Sequence, residues 1–260
     1  MRIRSNNGKL LNLSSSWFCI PKPNPNAKIR LFCFPYAGGM PEIYYSWLNE
    51  LSNQIELVVI KYPGHVPGSS ETLYTNLTTL SKELAQILSR NTDKKYAFFG
   101  HSMGALISFE LATQLNIIGA KAPEYLFLAA KNPPDIPVEQ PPIYEMTMEE
   151  IIQLARSYNA LPEEVLGNHE LLKLIIPILK ADFEMIEKWS INEDFKPLNT
   201  PMCVFSGIND SLGLPKNMAE WQKYTKSEFK MIKVPEQHYF ILNKLVRKNI
   251  IKIIENIILK

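Results

Sequence analysis

From Ile29 to Leu259 short apolar runs alternate with amphipathic stretches, and that alternation constrains the fold more than any other feature. The apolar runs are IRLFCFP (29–35), IELVVIKYP (55–63), YAFF (96–99), YLFLAA (125–130), PMCVFSG (201–207) and EFKMIKV (228–234). Each is a continuous run of strand length, which reads as a buried strand. Helical patterns lie between them, at 41–52, 71–90, 105–112, 215–224 and 240–259. The second is the clearest. Leu73, Leu77, Leu80, Leu84, Ile87 and Leu88 recur at steps of three and four, which places them on one helix face. Strand and helix in turn predict an α/β fold, a mostly parallel central sheet with helices on both faces. A chain of 260 residues, 46% of them hydrophobic, can bury a core of that kind.

The alternation pauses once. Residues 131–142 hold five prolines and read as a loop. Thr147-Met148-Glu149-Glu150 is a capping-box pattern that opens a helix to about Ser157. Asn168 can cap a second helix reaching about Trp189, with a kink or break expected at Pro177. The expectation is a helical lid inserted at about 136–192 within one domain, 17–260, behind a polar, flexible leader, 1–16.

One glycine-flanked serine stands where a strand meets a helix, in Gly100-His101-Ser102-Met103-Gly104. Such a turn strains the serine backbone and needs small residues two positions away, which Gly100 and Gly104 supply. It also puts Ser102 at a helix N-terminus, where free N–H groups favour developing negative charge. The other reading is an ordinary serine in a glycine turn.

A serine hydroxyl needs a base, and the base needs an orienting acid. Loops at the carboxyl edge of a parallel sheet converge, so both should follow later strands. Of four histidines, His238 directly follows the last strand. His101 is inside the turn, His65 in YPGHVPG is expected to be exposed, and His169 lies in the helical insertion. Asp210 follows the strand 202–206 and is the expected acid; Asp182 and Glu236 are its rivals, and a plain turn aspartate is its other reading. Two backbone N–H groups should receive an oxyanion. Met103, after the serine, is one. Ala37 in FPYAGG is the other, unless that segment is a plain glycine turn.

The rest of the composition removes other classes. A net charge of +2 with scattered basic residues gives no reason to expect nucleic acid. Cys19, Cys33 and Cys203 form no CxxC pair, which argues for a reducing compartment, the cytoplasm. Cys33 and Cys203 read as core thiols. No apolar stretch has the length of a membrane span. HExxH and phosphate-binding glycine loops are missing, so no metal and no cofactor are expected.

Taken together, RLFCFPYAGG, GHSMGA, LPEEVLGNHELLKLIIPILKADF with EMIEKW after it, SGINDSLG and EQHYF, in this order, resemble the type II thioesterases, from about Trp17 to the C-terminus. These α/β-hydrolases accompany nonribosomal peptide and polyketide synthases, and the animal medium-chain fatty-acid thioesterase is a relative. The resemblance implies an α/β-hydrolase fold, with nucleophile, acid and base at Ser102, Asp210 and His238 and oxyanion amides at Ala37 and Met103. It implies hydrolysis of acyl thioesters from the phosphopantetheine arm of acyl- or peptidyl-carrier proteins, by a cytoplasmic, monomeric enzyme. Two segments depart from the family, YPGHVPGSS (62–70) and AAKNPP (129–134), where it often carries arginines. Lid residues Leu171, Leu172, Leu174, Ile175, Ile176 and Ile178 exceed one helix face, as core packing or as the wall of an acyl pocket. A small-molecule carboxylesterase or lipase, an acyltransferase, and a non-catalytic binding module are the competing readings.

Overall fold

The computed structural model describes residues 16–90, 93–136, 141–158 and 160–260, with the backbone of two short strands before them. Those strands, β1 (Ile3–Arg4) and β2 (Leu10–Leu11), pair antiparallel within the expected leader, most of which lies outside the described residues.

Seven further strands form one sheet: β3 (Phe18–Cys19), β4 (Ile29–Phe34), β5 (Ile55–Ile60), β6 (Lys95–His101), β7 (Leu126–Ala129), β8 (Met202–Gly207) and β9 (Phe229–Val234). Their order is β3-β5-β4-β6-β7-β8-β9, parallel from β5 to β9, with β3 added antiparallel at the β5 edge. The apolar runs behave as expected, and all six residues of β4, β5 and β8 are buried. Arg30 and Glu56 are charged exceptions in adjacent register, and they satisfy each other through a 2.7 Å Nε–Oε2 bond.

Helices α1 (Leu77–Ser89) and α2 (Met103–Ile117) pack on one face. The opposite face carries a 3₁₀ segment, Pro41–Asn49, and, at the chain's end, a long helix, Lys244–Ile258. The helix expected from residue 71 begins later because Asn76 is its N-cap, accepting from the Thr79 N–H at 2.8 Å.

Between β7 and β8 lie α3 (Met148–Ser157), α4 (Glu163–Leu166) and α5 (His169–Glu187). Both sequence-predicted caps form: Thr147 and Glu150 make the capping box, and Asn168 accepts from the Leu171 N–H. The expected break at Pro177 is absent, and α5 runs through it. Pro177 and Lys173 are both exposed, so the carbonyl that loses its helical donor is on the wet face. Ile143, Ile151, Leu172, Ile176 and Leu179 give this segment a small core of its own. Two elements complete the fold: α6 (Pro215–Met218), which passes into a 3₁₀ segment, Ala219–Tyr224, and the terminal helix α7 (Lys244–Ile258), capped by Asn243.

The chain leaves β4 for β5 on one side and returns to β6 on the other. That reversal opens a crevice at the carboxyl ends of β4 and β6, where ligands bind in open α/β sheets. The segments emerging there are Pro35–Gly39 and His101–Gly104.

Candidate active site

Ser102 joins β6 to α2 with φ 53° and ψ −118°, a region an L-residue occupies only when its surroundings impose it. The surroundings are explicit. The Ser102 N–H donates to the Ala129 carbonyl at 2.8 Å, and the Ser102 carbonyl accepts from the Ala105 N–H at 2.9 Å. A methyl group at Gly100 would stand 2.5 Å from the Ala105 nitrogen and closer still to the Gly104 carbonyl. One at Gly104 would stand 2.7 Å from the Pro35 oxygen and closer still to Phe34. The two glycines therefore let the turn close on itself and on the segment after β4.

Three distant side chains meet at this edge. His238 Nε2 is 3.0 Å from Ser102 Oγ, and His238 Nδ1 is 3.0 Å from Asp210 Oδ2. Asp210 and His238 are buried. Asp210 Oδ1 also accepts from the N–H groups of Leu212 and Gly213, at 2.8 and 2.9 Å. Asp210 is thus a turn aspartate, and the turn aims its carboxylate at His238. Gly207 permits the close approach of the two loops: a methyl there would meet the carbonyls of Glu236 and Gln237 at 2.7 and 2.8 Å.

The rivals lie elsewhere. Glu236 accepts from Asn243 Nδ2 at 2.6 Å. Asp182, fully buried on α5, accepts from the Gly38 N–H at 2.7 Å and has Oδ1 2.9 Å from His65 Nε2. His65 is therefore buried, not exposed as its proline-glycine surroundings suggest, because α5 covers it. His169 is exposed at the start of α5. His101 is fully buried among Tyr36, Phe240 and the His238 ring. Burial first, then the neighbouring His238, holds its imidazole well below the ordinary range, so it stays neutral.

Ala37 and Gly38 form the centre of a turn closed by the Gly39 N–H donating to the Tyr36 carbonyl at 2.8 Å, with Gly38 at φ +70°. A positive φ at the third residue is the mark of a type II turn. Two tyrosines fix the approach to it. Tyr44 Oη donates to the Phe34 carbonyl and Tyr62 Oη to the Pro35 carbonyl, at 3.0 and 3.1 Å. Sequence reasoning passed over both tyrosines and the Asp182 contact. Tyr62 does end a strand beside the glycine turn, but its partner is set only by strand order.

Cys33 and Cys203 are core thiols; burial pushes both up, Cys203 to about 12. No group of three or more His, Cys, Asp or Glu side chains suited to a metal occurs among the described residues. No described helix is long and apolar enough to cross a membrane.

Known proteins resemble both the sequence and this architecture. The gramicidin S biosynthesis protein GrsT of Aneurinibacillus migulanus is 34% identical over 87% of this chain and 88% of its own. A Brevibacillus parabrevis protein named linear gramicidin dehydrogenase LgrE is 33% identical, over 93% and 92%. The solved structure of RedJ, a thioesterase from the prodiginine pathway of Streptomyces coelicolor, superposes with a TM-score of 0.83 at 26% identity, over 92% and 94%. The Thioesterase domain family matches residues 29–258, from the first residue of β4 to the last of α7. The chain belongs to that family, whose members hydrolyse thioesters on an α/β-hydrolase-like fold.

Proposed function

We propose that this protein is a type II thioesterase that releases acyl groups from the phosphopantetheine arm of carrier proteins, through an acyl-enzyme on Ser102. The observation that carries the reading is the continuous contact from Ser102 Oγ through His238 to Asp210 at the crevice. His238 Nε2 takes the hydroxyl proton as Ser102 Oγ attacks the thioester carbonyl. Asp210 holds the Nδ1–H and stabilises the imidazolium. The tetrahedral oxyanion is received by the Ala37 and Met103 amides, and collapse expels the thiolate, which takes the proton from the His238 imidazolium and leaves the imidazole free to act as a base again. A thiol near pKa 8.5 leaves with little help from an acid. Water, losing its proton to His238, then attacks the ester carbonyl and frees the carboxylic acid and Ser102.

The helical segment between β7 and β8, at about 136–192, acts as a lid and supplies the acyl wall. Leu172, Ile176 and Ile178 are buried while Leu174 is 45% exposed, so the apolar surface exceeds what its own core consumes. Synthase association is supported by the biosynthetic relatives. A hydride-transfer reading, suggested by one relative's name, finds no GxGxxG turn at the β6–α2 junction to hold a dinucleotide. The enzyme works in the cytoplasm as a monomer, with no cofactor beyond the arm carried by its substrate.

The test compares kcat/KM on an acyl-carrier protein, the same acyl group on coenzyme A, and a p-nitrophenyl ester. Preference for the carrier-bound acyl group is expected. Preference for the oxygen ester would instead make the protein a carboxylesterase, and transfer to an added alcohol or amine in place of hydrolysis would make it an acyltransferase.

A further inference from the structure

The hydrolytic chemistry makes no use of Asp182, yet it is a buried carboxylate placed with care. It sits on α5, 144 residues away in sequence from the turn it touches. One oxygen accepts from the Gly38 N–H at 2.7 Å; the other stands 2.9 Å from His65 Nε2, in the loop after β5. Three elements are thus tied at one side chain. A carboxylate with 1% exposure is costly unless it is hydrogen-bonded, and the Gly38 N–H is the donor that it has.

The Gly38 N–H belongs to the peptide that follows Ala37. In a type II turn this central peptide is flipped by about half a turn relative to type I. Gly38 can adopt both forms, since glycine tolerates either sign of φ. The turn's own hydrogen bond, from Gly39 to Tyr36, is common to both and does not choose between them. The acceptor on α5 does choose, because only one orientation of the peptide aims its N–H at Asp182. Leu179, one turn earlier on α5, closes over the same spot: a methyl group on Gly38 would meet its Cδ2 at 2.6 Å.

We propose that Asp182 is a positioning residue for the hydrolysis, which fixes the type II form of the Tyr36–Gly39 turn through the Gly38 amide and so holds in place the segment that carries the Ala37 N–H. The inference rests on the assignment of Ala37 as an oxyanion donor. His65 Nε2 faces the other oxygen of the carboxylate at 2.9 Å, the one not bonded to the Gly38 N–H. The helical segment therefore does more than cover the crevice, since its α5 carries the group that finishes the turn.

The test uses the full-length enzyme and a short acyl-N-acetylcysteamine thioester, which asks little of the acyl wall. Asp182→Ala is expected to lower kcat by at least tenfold with KM within about threefold, and Asp182→Asn, which keeps an acceptor oxygen, to recover kcat to within about threefold of wild type. A folded Asp182→Ala enzyme with wild-type kcat, a loss confined to KM, or an Asn variant as impaired as Ala overturns the proposal. Should Asp182→Ala not fold, amide exchange in the 15N-glycine-labelled wild type decides. Gly38 should exchange far more slowly than exposed Gly68, and equal rates overturn the assignment. Wild-type enzyme that leaves the thioester intact, or matches Ser102→Ala, would count against the serine mechanism itself and not against Asp182.

Discussion

Gly104→Ala sets two physical effects against each other. Helix propensity alone favours alanine over glycine in α2 by at most about 1 kcal/mol. The contacts oppose it. The added methyl would stand 2.6 Å from the Phe34 carbonyl carbon and 2.7 Å from the Pro35 oxygen, where ordinary contact begins near 3.4 Å. Both are backbone atoms, pinned by Tyr44 and Tyr62, so neither yields as a flexible side chain would. Relief needs α2 to part from the end of β4 and from Pro35 by more than about 0.8 Å, since the Phe34 oxygen is closer still. Overpacking of this kind costs about 1–3 kcal/mol, and a backbone clash belongs at the top of that range. The net is a destabilisation of about 2 kcal/mol, or a Tm lower by about 4–8 °C for a domain of this size. The same parting separates the Met103 amide from Ala37, and a misplacement approaching 1 Å can cost about 10²-fold in rate. Thermal unfolding and thioester turnover, measured on one preparation, test both halves. An unchanged or raised Tm would mean that propensity decides at this position, and the close-approach argument for the glycine would be lost.

Other perturbations separate the roles assigned above. Ser102→Ala should abolish turnover and leave no acyl adduct in the mass spectrum; residual wild-type rate removes Ser102 from the chemistry. Ser102→Gly should be equally inactive yet more heat-stable than Ser102→Ala, because glycine relaxes a φ of 53° that strains other residues by about 1–3 kcal/mol; a lower Tm contradicts the strain. Asp210→Asn keeps the shape but not the charge behind His238 and should lower kcat by about 10⁴-fold. Ala37→Pro fits the second position of a type II turn and removes one N–H, so kcat should fall by about 10²–10³-fold with little change in Tm, and an intact kcat would clear Ala37 of the oxyanion role. Glu110, buried on α2 and bonded to Gln114, has its carboxyl raised above the ordinary value by burial, more than its hydrogen bonds lower it. A raised folded-state value penalises the ionised form at higher pH, and the penalty fades as pH falls into the usual carboxylate range. Glu110→Gln should therefore raise Tm near pH 8 and give little gain near pH 4.5; an equal gain at both would mean that charge burial is not the cause.

The linear order of residues determined a great deal here, because it is local rules that shape strands, caps and turns. Continuous apolar runs gave the buried strands of a parallel sheet. Thr147, Glu150 and Asn168 marked helix starts through bonds spanning three residues. Glycines spaced two positions either side of Ser102 announced a strained turn. Chain order and strand ends nominated Asp210 and His238, since loops at one sheet edge must converge.

What tertiary structure alone decided are the contacts between segments with no sequence relation. The antiparallel edge strand Phe18–Cys19 is two residues long, too short to carry a pattern. Pro177 reads as a helix breaker, and only its solvent-facing position in α5 makes it harmless. Its place after a strand favours Asp210 over its rivals Asp182 and Glu236, but only strand order and the path of α5 put Asp210 beside His238, Asp182 on Gly38 and Glu236 on Asn243. His65 has the neighbours of an exposed loop, and it is buried because a helix more than a hundred residues later folds over it. Sequence sets the conformations each segment can adopt over a few residues, whereas packing at the crevice chooses which distant groups share a hydrogen bond.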